Sequence, residues 1–283
     1  MKILACIDGS AYADNICCYA SWAALRLNAE VNLLHVLRRH SDYHAPAEDH
    51  TGTIGLGART SLLTELTKMD EERARLDQEK GKLVLHHGKK LLRNEGLKDI
   101  QLTHRRGSLV DTIKELEDES DLIFIGKRGE HADPNSMFLG SNLEKVARSV
   151  HKPLFVVSSV LKTINSFVIA YDGRENAEKA VEFVTNSPLL KSLECHLLVV
   201  ESKDGEMNTT KAEVSLRDAG FEVQTTKLLG KATDELISNF IKTQEIGLLL
   251  TGAYSHSRVR SIFLGSTTAS LITKCKIPLL LFR

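Results

Sequence analysis

Thr251 to Thr268 reads TGAYSHSRVRSIFLGSTT, a glycine-punctuated loop that comes after a very apolar run and opens into a helix. Before it, Ile246, Leu248, Leu249 and Leu250 have the length and character of a short buried strand, and after it Ala269, Leu271 and Ile272 begin helical spacing. A loop between a buried parallel strand and a helix N-terminus is where anionic ligands sit. Free backbone N–H groups and the positive end of the helix dipole point outward there. Gly252 is expected to let the backbone approach a ligand closely, and Gly265 to open the turn into Ser266 and Thr267, both good N-cap residues. The stretch predicts a phosphate cradle.

Gly126 to Asn142, GKRGEHADPNSMFLGSN, repeats the arrangement after its own apolar strand, Leu122 to Ile125. The two copies lie 126 residues apart, Gly126 to Gly252, and their continuations correspond as well: HKPLFVV at His151 to Val157 answers CKIPLLLF at Cys275 to Phe282. An internal repeat outranks any local motif, so the chain reads as two copies of one unit.

At 283 residues the chain suits two domains of ordinary size, and a hydrophobic content of 42% supplies a core for each. We expect them at 1–160 and 161–283, the first carrying a longer loop and helix at about 38–95. Lys plus Arg equals Asp plus Glu, 37 against 37, which excludes the global basic field that would favour nucleic acid or an anionic membrane. MKILACID runs straight into a strand, with no signal peptide or long apolar segment, so a soluble cytoplasmic protein is the expectation. Cys6, Cys17, Cys18, Cys195 and Cys275 form no CxxC and read as small buried hydrophobes kept reduced, with redox sensing by the vicinal pair as the alternative.

Taken in order, Lys2 to Ile7 is a buried strand ending at Asp8, Gly9 and Ser10, and Ser10 is placed to cap the next helix. Val31 to Leu37 is the second strand. Arg38 to Arg59 is polar and holds His40, His44 and His50, whose spacing fits no metal-ligand pattern and reads as a solvated loop. From Ser61 to Asn94 a long helix is expected, with Leu62, Met69, Leu76 and Leu83 seven apart but Arg73, Lys80 and His87 between them. That mixture predicts a stripe packed on its own domain with a projecting end rather than a full coiled-coil seam.

Asn165 to Tyr171 restarts the series and ends at Asp172 and Gly173, as the first unit ends its strand at Asp8 and Gly9. Asp8 to Gly126 spans 118 residues but Asp172 to Gly252 only 80, so the 38 extra residues fall in the histidine loop and long helix. Strand and helix alternate five times per unit, which requires an α/β fold with a parallel, doubly wound five-stranded sheet in each. If the first and fourth strands are neighbours, Asp8 faces the Gly126 loop and Asp172 the Gly252 loop across a crevice at the carboxyl ends of the strands. A nucleotide would lie there.

These residues resemble the universal stress protein family in its tandem two-domain form, over nearly the whole chain. Its nucleotide-binding members carry G-x2-G-x9-G-[S/T] after the fourth strand and an aspartate after the first. Domain two keeps the spacing, with Gly252, Gly265 and Ser266, but has Ser255 for the middle glycine. Domain one keeps Gly126, Gly129, Gly140 and Ser141, but places ten residues between Gly129 and Gly140, beside the rigid Asp133 and Pro134. By position, the resemblance implies that Asp172 contacts the nucleoside, the backbone near Val200 the adenine, and Gly252, Gly265, Ser266 and Thr267 the phosphates. Asp8, Val36, Gly126, Gly129, Gly140, Ser141 and Asn142 are their counterparts. Ser255 either obstructs the approach, if its φ is positive, or adds a hydroxyl donor. Arg258 and Arg260 either reach phosphates or are solvated charges. Domain two is the better candidate.

The resemblance implies an adenine-nucleotide-binding fold related to the α-hydrolases and a stress-response regulator that takes ATP, with or without Mg. No catalytic residue or metal ligand is assigned. Slow hydrolysis or autophosphorylation is the most catalysis expected, because a carboxylate on the nucleoside is poorly placed to activate water at the terminal phosphate. The alternative is an assembly module with degenerate cradles, since the apolar Leu279 to Phe282, left as an edge, invites strand pairing. In a tandem chain the two units can instead pair with each other. A turnover enzyme is disfavoured: Asp8 to Asp14 reads DGSAYAD, not SGGxDS, and no GxxxxGK[ST] is present.

Overall fold

The computed structural model describes residues 1–37, 56–130, 140–201, 207–253 and 265–283, with side chains of the long helix from residue 64. In the first half, β1 (Lys2–Cys6), α1 (Ala13–Leu27), β2 (Glu30–Leu37), α2 (Leu56–Asn94) and β3 (Ile100–Arg106) are followed by α3 (Leu109–Glu117), β4 (Leu122–Gly126), α4 (Ser141–Ser149) and β5 (Leu154–Val157). The second half repeats this as β6 (Ser166–Ala170), α5 (Glu175–Asn186), β7 (Glu194–Glu201), α6 (Thr210–Asp218), β8 (Val223–Leu229), α7 (Thr233–Thr243), β9 (Leu248–Gly252), α8 (Ser266–Lys274) and β10 (Leu279–Phe282).

The strands form one sheet in the order β3-β2-β1-β4-β5-β10-β9-β6-β7-β8. Every pairing is parallel except β5 with β10, where Val156 faces Leu279, Phe155 faces Leu280 and Leu154 faces Leu281. Two doubly wound five-stranded parallel sheets are therefore fused edge to edge. Leu279 to Phe282 is covered by β5 and is no free edge, so the two units have taken up each other's apolar edge strands.

The strands are nearly continuous apolar runs because both faces are buried. On one face lie α1, α2, α5 and α6 with Ala5, Leu33, Leu197 and Leu250; on the other, α3, α4, α7 and α8 with Leu4, Leu34, Leu198 and Leu249. At the seam Phe155 stacks on Phe124 with centroids 4.5 Å apart and meets Tyr19 at 5.6 Å. The linker is pinned there: Tyr19 Oη donates to the Lys162 carbonyl at 2.9 Å and accepts from its N–H at 2.8 Å.

Two expectations change. Ser10 does not cap α1: helical structure begins at Ala13, and Ser10 Oγ instead accepts from Tyr12 N–H at 3.3 Å in a tight turn. In α2 the packed stripe is Gly81, Leu85, Gly88 and Leu92, while Met69, Leu76 and Leu83 face solvent, 61, 65 and 70% exposed. Glycine brings the helix axis close to the sheet. A Cβ at Gly81 would sit 2.5 Å from His104 Nε2, and one at Gly88 would sit 2.9 Å from Ile7 Cδ1. The N-terminal part of α2 does project. The histidines 40, 44 and 50 lie outside the described residues.

Candidate functional site

In each unit β1 and β4, or β6 and β9, run side by side, and the candidate crevice lies at their carboxyl ends. Ala5 pairs with Phe124, and Ala170 with Thr251, so Asp8 and Asp172 emerge beside Gly126 and Gly252 respectively. Val36 and Val200 sit at the carboxyl ends of β2 and β7, in the strands flanking those aspartates and in matching register: Cys6 pairs with Leu34 and Ala170 with Leu198. Gly140 and Gly265 are the N-caps of α4 and α8, and neither helix has a side-chain cap. Ser266 is thus the first helical residue, not the cap, and Ser266 and Thr267 are exposed. The first-turn N–H groups of a helix have no intrahelical partner, and here two hydroxyls stand beside them. Ser141 is exposed and Asn142 half-buried at the same place in unit one. Ser255, Arg258, Arg260, Asp133 and Pro134 lie outside the described residues.

The first glycine of each loop, expected from sequence to serve ligand approach, has a packing role. A Cβ at Gly126 would stand 2.9 Å from Tyr12 Cβ, and one at Gly252 would stand 2.9 Å from Asn176 Cβ. Both glycines let the first helix of their unit press on the end of the fourth strand. The carbonyl of Gly252 then accepts from Thr268 Oγ1 at 3.1 Å, tying α8 to the strand. In unit one the backbone N–H of Gly140 donates to the Lys127 carbonyl at 3.3 Å, and a Cβ at Gly140 would lie 3.1 Å from that oxygen.

The aspartates differ. Asp8 is half-buried: Oδ1 accepts from Ser10 N–H at 3.0 Å, and Oδ2 accepts from Glu130 N–H at 3.0 Å. Gly129 makes this approach possible, since a Cβ there would lie 3.0 Å from Asp8 Oδ2. The Glu130 carboxylate folds over Gly9, where a Cβ would meet it at 2.9 Å, and pairs with Lys80 of α2. Among the described residues Asp172 is held only by its own turn, with Oδ1 accepting from Arg174 N–H at 3.1 Å and Oδ2 3.7 Å from the guanidinium. Its side chain remains 50% exposed. Gly173 next to it has φ +67°, the left-handed conformation that glycine adopts without strain.

Glu130 and Lys80 were missed from sequence. The available signal was a carboxylate directly after the middle glycine, Gly129-Glu130, where the repeat has His256. Lys127 was missed as well. It is buried, and its ammonium donates across the seam to the carbonyl of Cys275, the C-cap of α8. Burial lowers its pKa to about 8. All five cysteines are free, and burial pushes the Cys17 thiol up to about 12, which disfavours a thiolate in the vicinal pair.

The fold defines a tandem α/β protein of two doubly wound parallel units. The chain belongs to the universal stress protein family, whose model matches residues 1–158 and 200–283. It is 36% identical over 286 residues to universal stress protein Slr1230 of Synechocystis sp. (strain ATCC 27184 / PCC 6803 / Kazusa), covering 100% of this chain and 99% of that one. Among solved structures, a universal stress protein from Archaeoglobus fulgidus DSM 4304 superposes with TM-score 0.65 at 19% identity, covering 100% of this chain and 98% of that one. A functionally unknown protein, PA1789, from Pseudomonas aeruginosa PAO1 superposes with TM-score 0.62 at 16% identity, covering 99% and 92%. Both share the fold along their length.

Proposed function

We propose that this universal stress protein is a cytoplasmic ATP-binding regulator that takes its nucleotide, with or without Mg, in domain two (161–283) and not in domain one (1–160). The observation that carries the reading is the state of the two aspartates. Asp8 is engaged by the backbone N–H of Glu130, whose carboxylate lies over Gly9 and would repel a polyphosphate, whereas Asp172 presents a half-exposed carboxylate in the unit whose α8 has a glycine N-cap. In this reading Asp172 accepts from the nucleoside, the backbone at Val200 borders the base, and Gly252, Gly265, Ser266 and Thr267 surround the phosphates, with Ser255 on the intervening loop. In domain one Asp8, Val36, Gly126, Gly129, Gly140, Ser141 and Asn142 keep the architecture of a cradle without its occupant.

The protein acts by binding rather than turnover, since Asp172 at the nucleoside end has no route to a water at the terminal phosphate. Among the described residues no helix is long and apolar enough to cross a membrane. Asp172→Ala is expected to weaken ATP binding by about 1–3 kcal/mol in a calorimetric titration, while Asp8→Ala leaves it unchanged. Unchanged affinity in Asp172→Ala would remove that residue from the site. The second reading, an assembly module with two empty cradles, is favoured if neither variant nor wild type binds.

A further inference from the structure

Helix α2 spans 39 residues, against 9 in its counterpart α6. Among its described residues only the C-terminal part is anchored on the sheet, through Gly81, Leu85, Gly88 and Leu92, while residues 64–73 are exposed on every side. Four of the ten large hydrophobic residues exposed among the described residues lie on this one helix: Leu66 (48%), Met69, Leu76 and Leu83. Met69, Leu76 and Leu83 repeat every seven residues, so they fall on one side of the helix, about 10 Å apart. A projecting helix with an apolar stripe gains most of its stability from a partner.

Charge identifies the partner. At about 100° per residue, the side chains within roughly 40° of Leu76 read Met69, Glu72, Leu76, Lys80 and Leu83, with Glu65 and His87 at the two ends. The face carries Glu65 and Glu72 towards one end and Lys80 and His87 towards the other. Reversed on itself about Leu76, it is self-complementary: Met69 meets Leu83, Glu72 meets Lys80 and Glu65 meets His87 at equal heights. A parallel alignment would set Glu72 against Glu72 and Lys80 against Lys80. An anionic membrane surface suits the acidic end no better. Lys80 and His87 also contact Glu130 and Asp14 of their own unit, so the intermolecular pairs are shared with these carboxylates.

We propose that α2 is a homodimerisation arm: two copies of this chain associate through antiparallel α2 helices related by a twofold axis at Leu76. The β5–β10 seam has already closed the apolar edge strands within one chain, so the dimer is built elsewhere. Sedimentation velocity of the full chain is expected to show a concentration-dependent dimer. Leu76→Glu, a change on an exposed position, is expected to leave a folded monomer by circular dichroism. Glu72→Lys, which turns both symmetric attractions into repulsions, should raise the dimer Kd about tenfold. Mixed Met69→Cys and Leu83→Cys chains should form a disulfide-linked heterodimer on mild oxidation, whereas Leu83→Cys alone should not exceed the wild-type background. A wild type that stays monomeric at every concentration overturns the proposal. So does a dimer indifferent to Leu76→Glu, efficient Leu83→Cys self-cross-linking, or a monomer that uses this face to bind anionic phosphatidylserine vesicles.

Discussion

The two units share a fold down to matching register, yet their crevices have diverged. At an offset of 164 residues Asp8 matches Asp172 and Val36 matches Val200, and at 126 Gly126 matches Gly252. In unit one the Glu130 backbone N–H is bonded to Asp8 and its carboxylate is clamped by Lys80 from the long α2, whose counterpart α6 is far shorter. Unit two leaves its aspartate facing outward. The duplicated strands thus keep one register in both copies while the surroundings of the two aspartates differ.

If the shared scaffold is equally critical in both halves, core truncations should cost the most in either. Phe124 and Leu250 occupy equivalent core positions, each 0% exposed, and truncation to alanine should cost about 3–5 and 2–5 kcal/mol in urea unfolding. Because the sheet is continuous through Phe155 and Leu280, both variants should unfold in one transition; two separated transitions would show that the seam does not couple the units. Next, Gly126→Ala and Gly252→Ala should each cost about 1–3 kcal/mol, since the added methyl meets Tyr12 or Asn176 at 2.9 Å. Full stability in Gly252→Ala together with lost nucleotide binding would assign that glycine to the ligand instead.

A smaller effect is expected from opening unit one. Glu130→Gln removes the carboxylate over Gly9 and releases Lys80, and nucleotide bound per chain should rise towards two in equilibrium dialysis. No rise would show that the ten-residue loop spacing, not Glu130, keeps that crevice shut.

The smallest prediction concerns pH. His35 and His104 face each other beneath Gly81 with ring centroids 5.2 Å apart, and His35 Nδ1 and His104 Nε2 are buried without a partner. Burial lowers both pKa values from the ordinary 6.5, reinforced for His35 by His104 and for His104 by Lys82 and Arg106. Asp8 and Glu130 pull His35 the other way, while Lys80 adds to the lowering. Burial favours the neutral form of both imidazoles in the fold, whereas the unfolded chain takes up protons as pH falls past about 6.5. Stability is therefore full above that value and declines below it. His35→Val, which installs the residue found at Val199 of unit two, should flatten urea midpoints measured between pH 7 and pH 5. An unaltered pH slope would clear the pair of that role.

The repeat, the strands and the positions of both aspartates were legible because parallel strands buried on both faces read as unbroken apolar runs. Leu279 to Phe282 matched the observed strand to the residue. The orientation of α2 was not legible from its leucines. Glycines 81 and 88, invisible to hydrophobic periodicity, dock the helix, and the heptad of larger side chains is left outside. The aspartate-glycine turns gave the positions of the aspartates but not their surroundings, because Asp8 is bonded by the backbone N–H of Glu130, 122 residues away in the chain. The capping hydroxyls were misread at Ser10 and Ser266, where local turn geometry and Gly265 took the boundary.

Equilibrium dialysis of the purified chain against labelled Mg-ATP, reporting moles bound per mole of folded chain for wild type, Asp8→Ala and Asp172→Ala, tests the central asymmetry most directly. A value near one is predicted for wild type and Asp8→Ala, and a marked loss for Asp172→Ala. A value near zero for folded wild type at millimolar ATP, or a loss that tracks Asp8 instead of Asp172, would contradict it.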